Sequence, residues 1–200
     1  MKIVQERARK TRDRILSTAV KMFAAQGFHG TTVDAIAAEA GVNKQRIYAY
    51  FESKSGLFED CLMHVLADMK LISGKVLEEV GEDPGRLTET LLREYMSIHK
   101  RNPFFWRMLA WANLEEETAL PHLPGINQEH YAELAAIFER AGKQGAVPAG
   151  MSFEVYIFLL MGISFFYSSN RKTLSRTLSE ELFTAAGQEM LMRQCLALFR

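Results

Sequence analysis

Residues 31–54, TTVDAIAAEAGVNKQRIYAYFESK, decide how the rest of the chain is read. Either Thr31 or Thr32 can cap a helix through which Val33, Ile36, Ala37 and Ala40 recur at helical spacing, making one small apolar face. Gly41 ends that helix because the chain must leave it at positive φ, which a side chain disfavours. Val42 fills the corner, and the small Ala37 lets a second helix cross close by. In that second helix Ile47 and Phe51 stand four apart as the inward pair, so at about 100° per residue Gln45, Arg46 and Ala49 point away from the core. Lys44, Tyr48 and Tyr50 flank this outer face.

Such a face suits a groove of double-stranded DNA. Lys44 and Arg46 can donate to guanine O6 and N7, Gln45 can pair with adenine N6 and N7, and the Ala49 methyl can touch a thymine methyl. The tyrosine hydroxyls and Lys54 are placed to take phosphates, which fix register and carry most of the affinity while a few base contacts carry sequence choice. Taken singly, each of these residues is an ordinary polar group on a wet helix. The small-residue spacing, the glycine turn and the flanking aromatics together point to a helix-turn-helix reader.

Upstream stands RILSTAVKMFAAQGFHG and downstream IYAYFESKSGLFEDCL. With these flanks the chain from about Arg7 to Leu62, less than a third of its length, resembles the N-terminal domain of the TetR family of bacterial regulators. The likeness rests on a helix, Gly27-Phe28, Thr-Thr, Ala-x-x-Ala-Gly-Val and Ile-Tyr-x-Tyr-Phe-x-x-Lys. It implies base contacts from Lys44, Gln45, Arg46 and Ala49, and phosphate contacts from Thr32, Tyr48, Tyr50 and Lys54. A basic arm ahead of the first helix, with Arg7, Arg9, Lys10 and Arg12, reads equally as a reach toward phosphate or the minor groove and as a frayed, solvated terminus. Ser55-Gly56 departs from the acidic helix formers the family often carries, and is read as weakening the start of the fourth helix.

Composition agrees. At 200 residues and 48% hydrophobic the chain can bury a core and hold a small reader plus a larger helical body. Net charge is zero, yet residues 1–54 carry ten Lys+Arg against five Asp+Glu, and the remainder fourteen against nineteen. A basic head on an acidic body favours binding DNA through one defined surface over coating it indiscriminately. Cys61 and Cys195 lack partners at metal-ligand spacing, so neither a disulfide framework nor a metal site is expected, and a reduced cytoplasmic setting is. The N-terminus lacks the apolar stretch of a signal peptide. The longest apolar run, VYIFLLMGISFFY, falls short of the roughly 20 residues of a membrane span, so no membrane is expected.

Punctuation by Pro and Gly predicts an all-α chain of about nine helices. Residues 1–54 are read as the three-helix reader domain and residues 55–200 as a helical ligand-binding and dimerisation domain. The first helix, with Ile15, Leu16, Ala19, Val20 and Phe23 inward, runs to about Gln26 and ends at Gly27. A fourth follows Ser53 and continues to about Ser73. Asp83-Pro84 and Asn102-Pro103 start the fifth and sixth, each with a capping side chain before a first-turn proline. A loop at residues 119–125 precedes a seventh from about Asn127 to Ala141. Ser152 caps the eighth, and a ninth follows Ser179.

The eighth helix, with Phe153, Tyr156, Ile157, Phe158, Leu159, Leu160, Met161, Phe165 and Phe166, is apolar nearly all round and needs cover beyond its own domain. A second copy is the simplest cover. The family resemblance implies a homodimer through the last two long helices, here from Phe153 to Tyr167 and from Leu182 to Leu198, with Gly162 permitting close approach. Two readers on a two-fold axis then call for an inverted-repeat operator. The resemblance also implies a repressor released by a small-molecule effector, of apolar or aromatic character. Met63, Tyr95, His99, Phe105, Met108 and Trp111 are its candidate contacts, although an aromatic and Met stripe at helical spacing is also what plain core looks like. No cofactor is called for. The enzyme class lacks its parts: none of the five histidines lies three residues after a Glu, and HExxH, P-loop and Gly-x-Ser-x-Gly motifs are absent. The remaining rival is a non-specific architectural DNA-binding protein without a ligand.

Overall fold

Apolar residues recurring every three to four positions resolve into ten α-helices and two 3₁₀ turns in the computed structural model, which describes residues 2–81, 83–114 and 128–199. There is no strand among the described residues. The helices are α1 (Lys2–Gly30), α2 (Val33–Ala40), α3 (Lys44–Phe51), α4 (Lys54–Val80), α5 (Leu87–Arg101), α6 (Phe105–Leu114), α7 (Gln128–Lys143), α8 (Phe153–Ser169), α9 (Arg171–Thr177) and α10 (Ala185–Leu198). The 3₁₀ turns are Pro84–Arg86 and Glu181–Phe183. No helix among the described residues is long and apolar enough to cross a membrane.

Two compact units result, one from residues 1–67 and 102–124, the other from 68–101 and 125–200. In the first, the five expected inward residues of α1, Ile15, Leu16, Ala19, Val20 and Phe23, are all buried. Phe23 and Phe28 both meet the Phe58 ring edge-on, at 5.0 and 5.3 Å between centroids. Gly27 sits at φ 75°, ψ −179° and kinks α1, whose last turn continues to Gly30. The Trp111 ring of α6 lies where a Cβ on Gly27 would be, 2.7 Å from its nearest carbon, so only glycine fits both the angle and the space. Ala24 O accepts from Arg107 Nε at 2.9 Å and Trp111 Nε1 at 3.4 Å, which fastens α6 to the kinked end of α1.

In the second unit Glu94 of α5 is buried between Lys75 and Arg101, with Arg101 Nη1 3.1 Å away. Burial opposes its ionisation, but the hydrogen bonds from Lys75 and Arg101 prevail and hold its carboxyl below the usual carboxylate range. Tyr156 of α8, fully buried, donates to Thr88 of α5 at 2.9 Å and packs its ring, tilted by 42°, against Phe138 at 4.8 Å between centroids.

Several elements differ from the sequence expectation. The chain before Ile15 is no arm: Arg7, Arg9, Lys10 and Arg12 all lie within α1. Helix α4 passes Ser73 and Gly74 and ends at Val80, followed by Gly81 at φ 50°, because Val76 and Val80 extend its buried face by two further turns. Gly56 does more than loosen the start of α4, since a Cβ there would stand 2.5 Å from Phe51 O. The chain bends at Asn170 into the additional helix α9, which raises the expected nine helices to ten among the described residues. The last helix starts at Ala185, not after Ser179, because Thr184 takes the extended cap conformation and its Oγ1 accepts from Gly187 N at 3.1 Å. The expected loop at 119–125 and the start at Asn127 lie outside the described residues.

Candidate nucleic-acid interface

The reader is built from caps. Thr32, extended at φ −111°, caps α2, its Oγ1 accepting from Ala35 N at 3.1 Å. Thr31 takes the other role: it is buried and donates to Gly27 O at 2.8 Å, tying the start of α2 to the kink in α1. Gly41 at φ 62° closes α2, with Val42 N donating to Ala37 O at 3.0 Å. Asn43 then caps α3, its Oδ1 accepting from Arg46 N at 2.8 Å. Asn43 is absent from the sequence expectation, although an Asn directly before a helical run is a cap signal.

Ile47 and Phe51 anchor α3 inward at 0% and 4% exposure. Lys44, Gln45, Arg46, Tyr48 and Ala49 are exposed together, and Tyr50 is half-buried. The structure therefore brings the expected base-contacting residues onto one open face of a short helix. Lys44 is already engaged there: its Nζ lies 2.8 Å from Asp34 Oδ2 of α2, and this hydrogen bond raises its pKa above the ordinary lysine value. Lys54 opens α4 half-buried, its ammonium 4.4 Å above the Phe28 ring. Arg12 is held inward, its Nη2 2.5 Å from Asp60 Oδ2 and its guanidinium 5.0 Å over the Phe51 ring, so it braces the core behind α3. This corrects its expected place in a basic arm ahead of the first helix.

The six side chains expected to meet an effector divide between the units. Met63, Phe105, Met108 and Trp111 belong to the first, where Phe105 and Met108 are buried core and Trp111 is committed to Gly27 and Ala24. Tyr95 and His99, four apart on α5, belong to the second. Tyr95 is 3% exposed, and burial lowers the His99 pKa to about 4, so its imidazole is neutral at neutral pH. A groove of about 550 Å³ in the same unit is lined by Tyr131, Ala135, Phe153, Ile157 and Phe158 among others, and by none of the six.

The same unit carries an apolar surface that the sequence led one to expect. On α8 Val155, Phe158, Leu159 and Phe166 are 49%, 72%, 37% and 58% exposed, with exposed Gly162 between them and nothing within 4 Å of where its Cβ would stand. On α10 Met190 and Leu198 are exposed at 41% and 75%.

The profile of the family described as "Bacterial regulatory proteins, tetR family" matches residues 15–61, and that described as "Tetracyclin repressor-like, C-terminal domain" matches residues 84–198. The transcriptional repressor NicS of Pseudomonas putida is 30% identical over 180 residues, covering 88% of this chain and 84% of its own. The transcriptional repressor SCO4008 of Streptomyces coelicolor is 34% identical over 155 residues, covering 77% and 76%. Among solved structures, HlyIIR, a hemolysin II transcriptional regulator, matches the fold with a TM-score of 0.67 at 21% identity over 96% of this chain and 98% of that one.

Proposed function

The chain belongs to the TetR family of bacterial regulatory proteins, and from that premise we propose that it represses transcription by binding an inverted-repeat operator as a homodimer. Its named relatives NicS and SCO4008 are transcriptional repressors. The observation that carries the reading is the open α3 face, where Lys44, Gln45, Arg46, Tyr48 and Ala49 stand exposed while Ile47 and Phe51 hold the helix from behind. Lys44, Gln45, Arg46 and Ala49 meet base edges, and Thr32, Tyr48, Tyr50 and Lys54 meet phosphates. The two copies join through the exposed stripes of α8 and α10, because a short reader touches only a few base pairs and cannot select one site among roughly a million competitors.

Release by a small apolar or aromatic effector follows from the same premise. Such a ligand must bind the DNA-incompetent state more tightly, and a coupling of about 1–3 kcal/mol loosens operator binding 5- to 150-fold. Within the second unit the neutral imidazole of His99 and the Tyr95 beside it are our first candidates to meet it. The test is binding-site selection with the full chain on a duplex library carrying a randomised core. Recovery of an inverted repeat that outcompetes random duplex is expected. Equal affinity for all sequences would favour the architectural alternative and overturn the repressor reading.

A further inference from the structure

Asp34 is a carboxylate on a surface that has to approach phosphates. It lies in the first turn of α2, is 71% exposed, and puts Oδ2 2.8 Å from the Lys44 ammonium at the start of α3. Exposed ion pairs contribute little to folding, and a negative charge near the duplex lowers affinity for every sequence alike. What the pair does change is the freedom of Lys44. A lysine ammonium has three donors on a flexible stem, and an untethered one settles on whichever phosphate is nearest. With one donor spent on Asp34, the ammonium is anchored over the first turn of α3 with two donors left, enough for the O6 and N7 of one guanine.

We propose that Asp34 is a positioning residue that withholds Lys44 from the phosphate backbone and commits it to a base, so that sequence choice at one base pair of each half-site depends on a side chain outside α3. The inference rests on the reading of α3 as the base-contacting helix. It makes a distinctive claim about sign: removing the carboxylate should tighten DNA binding while degrading its selectivity.

The test compares the wild-type full chain with Asp34→Asn, Lys44→Ala and the double variant. Each is run through selection on the randomised library and through titration of one fixed random-sequence duplex over a salt series. Asp34→Asn should bind the random duplex about 3- to 10-fold more tightly near 0.1 M salt. Its log K against log[salt] slope should steepen by about 0.9, the signature of one more phosphate neutralised. Its selected motif should lose discrimination at one base pair per half-site by a factor within about 5 to 150. In the Lys44→Ala background, Asp34→Asn should alter the motif no further. Were Asp34 only a first-turn carboxylate stabilising α2 against its helix dipole, Asp34→Asn would instead weaken binding to every duplex with the motif intact, and that result overturns the proposal. An unchanged motif with an unchanged slope overturns it too. A wild-type protein that selects nothing over random sequence is a different failure, since it removes the base-contacting reading of α3 itself.

Discussion

Helices α3 and α8 obey the same periodicity and present opposite chemistry. The eight residues of α3 bury Ile47 and Phe51 and leave a polar face in water, where it is stable unaided. The seventeen residues of α8 bury Tyr156, Ile157, Leu160 and Ser164, yet leave Val155, Phe158, Leu159 and Phe166 in water, where they are costly. The elements around α3 hold it by demanding backbone geometry, with Gly27, Gly41 and Glu52 all at positive φ. Ahead of α8 the chain also turns through positive φ, at Gly145 and Gly150, but the unmet demand of α8 itself is one of cover. A DNA reader has to keep its face open and in place until the duplex arrives, and rigid turns do that. An apolar stripe acts as soon as a second stripe is near.

The largest effect should come from breaking the second half of this contrast. Phe158→Glu places a charge at the most exposed aromatic position of α8, 72% accessible in the single chain. Burying a phenylalanine is worth about 1.5–3 kcal/mol, and at a two-fold interface the loss counts twice, about 3–6 kcal/mol. The dimer dissociation constant should rise by at least about 100-fold in sedimentation experiments. Operator affinity should fall with it while the monomer keeps its helical content. A variant that sediments as the wild type would take α8 out of the interface.

Next come the turns that hold the reader. Gly41 and Gly27 both lie at positive φ, 62° and 75°, but differ in ψ, 42° against −179°, and in surroundings: nothing stands within 4 Å of a Cβ at Gly41, whereas Trp111 stands 2.7 Å from one at Gly27. Gly41→Ala should therefore cost only the left-handed backbone penalty, about 1–2 kcal/mol. Gly27→Ala should cost more, because φ 75°, ψ −179° is a region essentially confined to glycine and because the indole must move off its hydrogen bond to Ala24, an overpacking cost of about 1–3 kcal/mol by itself. Urea midpoints give the difference, and tryptophan fluorescence should shift for Gly27→Ala alone. Equal losses at the two glycines would show that neither the backbone at Gly27 nor the indole resists a side chain.

Inside the second unit the sensitive group is His99, whose pKa burial depresses to about 4. Between the unfolded value near 6.5 and about 4, the unfolded chain binds a proton that the folded chain does not. Stability contributed by the neutral imidazole is thus present above pH 6.5 and is lost as pH falls through that window. His99→Gln should flatten the dependence of Tm on pH between about 6.5 and 4, and identical slopes in both proteins would remove His99 from the account.

The division between legible and illegible features follows the same line. Spacing within one helix was readable: Ile47 with Phe51, the inward face of α1, and the apolar excess of α8 all follow from 3.6 residues per turn. The glycine turn was readable at Gly41, whereas Gly27, read as the end of α1, is a kink beyond which the helix continues to Gly30. Contacts made across helices were not. Gly56 looked like a weak helix former because its reason is the Phe51 carbonyl, and Arg12 looked like part of a basic arm because its partners, Asp60 and Phe51, lie about forty residues or more away in sequence. Asp34 carried no signal of its own until the crossing of α2 and α3 put it beside Lys44. The late start of α10 was hidden because Glu180 and Glu181 look like a favourable first turn, and only the extended backbone at Thr184 shows that the helix begins after them.

The smallest effect sharpens the contrast from the reader side. Glu52 links α3 to α4 at φ 60°, ψ −46°, and Ser53 N donates to Phe51 O at 2.5 Å across it, a three-residue turn of a kind that is rare for a residue with a side chain. Such a conformation costs about 1–3 kcal/mol, whereas glycine adopts it freely and gives back about 0.5–1 kcal/mol through the added freedom of the unfolded chain. Glu52→Gly should therefore stabilise the protein by about 1 kcal/mol, read as a higher urea midpoint at unchanged m-value. Because the substitution also removes a negative charge near α3, Glu52→Gln serves as the control: it should leave stability unchanged and reproduce any increase in affinity for random duplex. A glycine variant no more stable than the glutamine one would mean that this turn is relaxed, and that the rigidity of the reader resides in Gly27 and Gly41.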